Sequence, residues 1–364
     1  MARGDVSMFG FGTVTKTEGT RLCGFGHPMM NAGDTAMPAA IPRVLWIYAS
    51  EQHSFKVGEA ARSLGALVND RQSAVVVDET KRAPTFPLHV DVRGVVGAPK
   101  TSWNVEVAEE KFMSPALAAA VLASAVEATT SERRDVSWTM HSRVAIHGHA
   151  PVELDDFGVA AGGMPDTGDW LSSRTVRAVG DALNNPWENV HVDGITSTLE
   201  VHYQRDVLRL RGVDVLDPIV DAGQKARVVL HLRPFSGAEV TRTAELAIPP
   251  ELVGRELEVD VLPGYEVVPD VAPPDNLDQL LANATRQALR PKSVVLQIKM
   301  PTQGVAFFGH VAPRLPAFAL DALRPTTSDV APEVIASYVR VVVPVDQYVD
   351  GHDKFKIKVR ANVR

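Results

Sequence analysis

Among the residues able to do acid–base chemistry, His27 is the most tightly framed. It lies in Gly24-Phe25-Gly26-His27-Pro28, at the end of an apolar strand and between two glycines and a proline. Glycine opens backbone conformations closed to other residues and proline fixes φ, so the chain around it sets the direction of this imidazole. An imidazole titrates near neutral pH, which suits it to take a proton from a nucleophile and return it to a leaving group. The other half of such a hydrolytic site is a serine on a sharp turn. No serine after His27 stands in one, so the sequence predicts half a site.

The remaining candidates read as structural. Cys23 is the single cysteine, which excludes an intrachain disulfide and a cysteine-rich metal site. Four residues from His27 on an extended chain it is roughly 13 Å away, and it reads as a small buried hydrophobe. His53 and Ser54 are neighbours and point to opposite faces of a strand; Ser54 could meet His27 only through the fold, and Phe55-Lys56 beside it read as ordinary strand. His141, His147 and His149 share a face if 136–149 is one strand, a spacing that can chelate. No cysteine or acid stands at ligand spacing, so they are expected in solvent, with no metal and no cofactor. Asp155-Asp156 and Glu109-Glu110 read as solvated loop charge, and Gly162-Gly163-Met164-Pro165 as a turn without the Lys-Ser/Thr of a phosphate loop.

The elements that must position His27 begin with a hairpin over residues 6–28. A three-residue loop at Thr17-Glu18-Gly19 would set Lys16 opposite Thr20, Val14 opposite Leu22, Gly12 opposite Gly24 and Gly10 opposite Gly26. Two facing glycine pairs make either a sharp barrel corner or a patch that another backbone can approach. Residues 29–60 read as irregular apart from a short strand at Val44–Tyr48, followed by strands at Gly65–Val68 and Ala74–Val77. Further on come a strand at Trp103–Val107, a helix from a Ser114-Pro115 start to about Ala128, a strand over Val136–Ile146 and a helix over Trp170–Leu183. Alternating strands between 190 and 268 have the spacing of an immunoglobulin-like module. A Pro/Asp-rich linker at 269–276, a helix at Leu277–Leu289, and strands at Ser293–Met300, Tyr338–Pro344 and Phe355–Val359 complete the chain.

The bulk composition bounds the class. The chain has 364 residues, 45% hydrophobic and 22% charged, a balance ordinary for a globular protein. A net charge of −7 gives no basic footprint for nucleic acid or an anionic membrane. No stretch approaches the roughly 20 apolar residues of a transmembrane segment, and Met1–Ser7 lacks the blocks of a signal peptide. Strand-like sequence from about residue 6 has the look of a domain whose front is missing.

Gly4-Asp5-Val6-Ser7-Met8, Gly12-Thr13-Val14-Thr15 and Gly24-Phe25-Gly26-His27-Pro28 resemble the SpoIVB-type serine peptidase domain, and Ser54-Phe55-Lys56 and Gly65–Ser73 resemble the same domain in large envelope-associated bacterial relatives. The resemblance covers roughly residues 4–80, with a weaker likeness at Leu232–Gly237 to the region that trails it. It implies a peptidase acting on a peptide or protein substrate by Ser/His acyl transfer, with His27 as general base. It also implies a substrate cleft lined by Gly10, Gly12, Gly24 and Gly26, and a periplasmic or secreted location. The family's serine lies in a Ser-Gly-Ser-Pro turn that has no counterpart here; Ser236-Gly237 is followed by Ala238. The family's carboxylate is not assigned, with Asp34 and Asp70 as candidates to orient His27. The alternative is a non-catalytic envelope binding or scaffold protein on a degenerate peptidase domain.

The expected fold is mainly β with α+β segments: a protease-like β-barrel portion over 1–97, an α+β segment over 98–189, an immunoglobulin-like β-sandwich over 190–270 and a C-terminal α+β segment over 271–364.

Overall fold

A computed structural model describes residues 1–130, 132–268, 271–286, 289–307, 310–312 and 333–361. The chain is mainly β and divides into two compact units, Met1–Tyr203 and Gln204–Arg364, rather than at residues 97, 189 and 270.

The described strands of the first unit form two sheets. They are β1 (Ala2–Gly4), β2 (Val14–Glu18), β3 (Arg21–Gly24), β4 (Gly33–Tyr48), β5 (Phe55–Arg71), β6 (Ala74–Asp78), β7 (Thr85–Arg93), β8 (Ser102–Ala108), β9 (Val136–Ile146), β10 (Val152–Ala160) and β11 (Val192–His202). One sheet has the order β1-β8-β7-β11-β9-β10, with β11 parallel to β7 and the other pairs antiparallel. Strand β11 is the reason the expected edge at 189 fails: it lies between β7 and β9 and binds the two halves of this sheet together.

Helices α1 (Ser114–Thr129), α2 (Thr167–Leu171) and α3 (Arg174–Leu183) accompany that sheet, with α1 against β7 and β8 and α3 against β9 and β10. Alternation in the strands supplies the face they cover: Phe86, Leu88, Val90 and Val92 of β7 are buried, as are Leu117, Val121, Leu122 and Ala125 of α1. Ser114 is the first helical residue rather than the cap; its hydroxyl donates to the Ala108 carbonyl at 2.9 Å. The single helix expected over 170–183 is two, because Ser173 leaves the helical conformation and caps α3 by accepting from the Val176 amide at 3.3 Å. Asp156, expected in solvent, is buried and accepts from the Arg174 amide at 2.7 Å and the Thr175 hydroxyl at 2.7 Å. It thus holds the start of α3, where backbone donors lack helical partners. Glu109 and Glu110 are likewise occupied, on the Val192 amide at 2.8 Å and the Phe112 and Met113 amides at 2.8 Å each.

The second sheet has the order β2-β3-β6-β5-β4. Residues 33–71 are a long antiparallel hairpin of β4 and β5, where irregular chain was expected over 29–60 apart from the strand Val44–Tyr48. Several bulges interrupt its ladder, and each adds twist and bend, so the sheet curls. Its buried core is small: Met37, Leu67, Val75 and Val77, with Leu22, Phe25, Met29 and Met30 packed against them.

The second unit comprises β12 (Val207–Val215), β13 (Ile219–Asp221), β14 (Lys225–Pro234), β15 (Val240–Ala247), β16 (Glu256–Pro263), α4 (Leu277–Thr285), β17 (Ser293–Phe307), β18 (His310–Ala312), β19 (Glu333–Pro344), β20 (Tyr348–Asp350) and β21 (Asp353–Arg360). Of the linker expected at 269–276, residues 269 and 270 lie outside the described residues, as do 287 and 288 of the helix expected to reach Leu289. One sheet is β15-β14-β12-β20; the other is β13-β21-β16-β17-β18 with β19 also on β17. The two share one core, in which Leu230, Leu232 and Leu246 meet Val259, Leu296 and Ile357. The division expected at 270 fails because β20 and β21 run parallel to β12 and β13 and complete both sheets.

Candidate functional site

The loop carrying His27 grows from the β2–β3 hairpin. The observed register is Val14 opposite Gly24, Lys16 opposite Cys23, Thr17 opposite Leu22 and Glu18 opposite Arg21, around a two-residue turn at Gly19-Thr20. Gly19 has φ +59, so it takes the first of two central positions in a tight turn rather than the end of a longer loop. This corrects the expected pairing: Gly12 does not face Gly24, and Gly10 does not face Gly26. Gly12 serves a different purpose. A Cβ there would sit 1.4 Å from the Phe25 ring, so the missing side chain leaves the space that the ring fills. Gly10 has only the Met29 sulfur near it, at 3.9 Å from a built Cβ.

Beyond Gly24 the chain turns sharply. Phe25 has φ +72, and the Gly26 amide donates to the Gly24 carbonyl at 2.9 Å, a three-residue turn with a strained central residue. The Phe25 amide donates to the Thr13 carbonyl at 3.0 Å, which fixes the turn to the segment before β2. Gly26 continues at φ +73 and His27 emerges exposed, its ring centroid 5.6 Å from that of Phe25.

His27 Nδ1 lies 2.7 Å from the Pro28 carbonyl oxygen. A carbonyl only accepts, so Nδ1 carries the proton of the neutral ring. Nε2 then keeps its lone pair and is the basic nitrogen.

Neither candidate carboxylate orients this ring. Asp70 is fully buried and accepts from the Met29 amide at 2.7 Å, the Met30 amide at 2.7 Å and the Ala32 amide at 3.3 Å. Burial by itself pushes its carboxyl up, but the amides of Met29, Met30, Ala32 and Asn31 together hold it below the usual carboxylate range. Asp70 is thus the anchor of the loop that follows His27. Asp34 is exposed and accepts from the Asn69 side-chain amide at 2.8 Å and Arg71 at 3.2 Å. Among the described residues no carboxylate pairs with His27.

Among the described residues no serine hydrogen-bonds to it either. Ser54 closes the turn at the far end of the β4–β5 hairpin, donating to the Ser50 carbonyl at 3.0 Å, and Ser236 lies in the bend between β14 and β15 of the second unit. The sequence missed the role of Asp70, although an acid in Asn69-Asp70-Arg71 beside a strand was visible. Backbone acceptance across 40 residues leaves no local pattern.

The three-histidine cluster disperses. Strand β9 ends at Ile146, so His147 and His149 lie past it and do not share the face of His141. Among the described residues no group of three or more metal-ligating side chains stands close enough to hold an ion. Instead His141 sits between Asp155 at 2.9 Å and Glu153 at 3.2 Å, one on each ring nitrogen. His231 of the second unit is held the same way, by Glu239 at 2.8 Å on Nδ1 and Asp214 at 2.9 Å on Nε2. Carboxylates accept from both nitrogens, so each ring favours the imidazolium, and both groups are pushed up from the ordinary histidine value. A group with a raised folded pKa contributes stability that is full below the unfolded value and lost as pH rises through the folded one. NMR titration is expected to place both midpoints above about 6.5, and Asp214→Asn with Glu239→Gln to return that of His231 toward it. Unshifted midpoints would contradict the bracketing.

No known protein family matches the chain, and no curated protein or solved structure matches it either.

Proposed function

We propose that the chain is part of a SpoIVB-type serine endopeptidase, with His27 as the general base and the nucleophilic serine outside these 364 residues. The observation that supports it most is the Nδ1 hydrogen bond to the Pro28 carbonyl, which leaves Nε2 of an exposed imidazole free to accept a proton. In this reading the curled sheet of β2 to β6 corresponds to the protease-like barrel portion, and the two-sheet second unit to an immunoglobulin-like trailing module. The serine oxygen attacks the peptide carbonyl while its proton passes to Nε2. That proton then goes to the departing amine, and water repeats the sequence on the acyl-enzyme. The segment Phe25–His27, rather than facing glycine pairs, borders the substrate, which is an extended peptide. The same reading gives the protein a periplasmic or secreted location.

A second reading is a non-catalytic envelope binding or scaffold protein. It is favoured by the absence, among the described residues, of any carboxylate on His27, since the imidazolium formed during acyl transfer is then stabilised by a neutral carbonyl alone.

Fluorophosphonate labelling separates the two. The probe is applied to this chain and to the product of its locus extended upstream to the preceding stop codon. Labelling of the extended protein alone, abolished by His27→Ala, is the expected result. Labelling of neither overturns the peptidase reading in favour of the second, and labelling that survives His27→Ala overturns the role of His27 as general base.

A further inference from the structure

Among the described residues the outer end of the β4–β5 hairpin pairs with no third strand, and the Phe11 ring comes against it only at Gly58, on the side toward the sheet. Strand β4 is the last in its sheet, and β5 meets β6 only from Ala66 onward, so Phe55–Gly65 pair with β4 alone. Two strands without a third are marginal in water. Yet this segment is strongly apolar. Leu45, Trp46, Ile47 and Tyr48 are consecutive and exposed, Trp46 at 69% and Ile47 at 59%, so both faces of the ribbon are apolar; Phe55 and Val57 oppose Tyr48 and Trp46 across it. Tyr48 and Phe55 stack with centroids 5.0 Å apart.

We infer that this ribbon end is the surface through which two copies of the chain associate. The six side chains expose on the order of 700 Å². The area is divided between the two faces of the ribbon, as consecutive strand residues require. Summed over both faces and together with the open strand edge, it approaches the ~800 Å² each partner contributes to an interface of standard size. The open edges select the occupant. Unpaired strand N–H and C=O groups call for another strand, and an antiparallel ladder between two copies of one strand is self-complementary and closes on a two-fold axis. A lipid surface supplies no such partners for the edges, and it would first have to take up the polar turn Ala49–Ser54, with Glu51, Gln52 and His53 at its tip. Arg43, ion-paired with Glu59 on the neighbouring strand, bounds the apolar stretch on the side toward the sheet. Association makes four strands of two and sets the aromatic side chains of neighbouring strands beside one another, and the inference does not rest on any peptidase activity.

Sedimentation of the chain from about 1 to 100 µM, the range in which interfaces of this size commonly associate, tests it. The expected result is a dimer whose dissociation constant rises roughly 100-fold or more in Trp46→Glu, because a central aromatic is a dominant contact and enters twice in a symmetric pair. The far-UV circular dichroism of the variant is expected to match that of the original chain. Val96→Glu, at an exposed site in another loop, leaves the dimer intact. A monomer at all concentrations overturns the inference, as does a dimer indifferent to Trp46→Glu. A monomer that binds phosphatidylglycerol vesicles through Trp46 also overturns it and puts a lipid surface in place of the second copy.

Discussion

Replacing Asp70 by alanine is expected to lower the stability of the first unit by about 3 kcal/mol or more, and to free the loop that carries His27. The carboxylate accepts the amides of Met29 and Met30 at 2.7 Å each and that of Ala32 at 3.3 Å, from a fully buried position. Removing it leaves three donors without an acceptor at a place the chain has closed to water, a larger loss than that of an exposed hydrogen bond. Asp70→Asn keeps one acceptor oxygen and loses the charge, so it is expected to fall between. The pH dependence has a definite sign. A carboxylate held below its unfolded value contributes stability that is full above that value and lost as pH falls through the folded one. Denaturant unfolding of Asp70→Ala and the original chain at pH 7 and near pH 2 checks both statements. The gap between them is expected to shrink in acid, and a gap independent of pH would show that the amides do not depend on the carboxylate charge. The change also bears on catalysis in the proposed reading, since Pro28, the acceptor for Nδ1 of His27, directly precedes the anchored residues.

Gly65→Ala is expected to cost about 3 kcal/mol by a separate route. Gly65 lies in β5 at φ +138, a conformation L side chains rarely adopt, and its Cβ would come 2.3 Å from the Asp78 carbonyl oxygen and 2.7 Å from the Glu79 Cα. Both are backbone atoms, so no side-chain rotation relieves the clash. The neighbouring irregularity, where Ala39 and Ala40 face Gly65 and Ser63, leaves Leu64 as the extra residue and bends the strand toward its small core. Alanine therefore forces β5 away from β6, the strand that links the hairpin to β3 and hence to the His27 turn. A fall in unfolding temperature of about 10 °C is expected for a unit of this size. A variant as stable as the original would mean that the close approach to Asp78 is dispensable.

Local features of this kind divide what could be read in the sequence from what could not. Strand Val136–Ile146 was legible residue for residue, because its alternation is long and one face is buried. The mainly β class, the helix beginning at Ser114-Pro115 and the specified backbone around His27 were legible for similar reasons: each rests on side-chain periodicity or on the fixed conformational habits of glycine and proline. The hairpin register was not, since a two-residue and a three-residue turn both accommodate Thr17–Thr20 and differ only in which ladder the neighbouring strand β6 accepts.

Tertiary structure alone decided the rest. Asp70 reaches amides 38 to 41 residues away, and the sequence carries no mark of which backbone a buried acid will serve. Strands β20 and β21 complete sheets begun more than a hundred residues earlier, so the limits of the second unit follow from pairing between distant strands and not from composition. The apolar run Val44–Tyr48 reads as a short strand, and the fold exposes it, because burial depends on what lies beside a strand and the sheet ends there. By itself the sequence determined the strand class, the helix start at Ser114-Pro115 and the conformational frame of His27, which are local properties of consecutive residues. Partners, register and exposure are properties of pairs far apart in the chain, and only the folded arrangement fixes them.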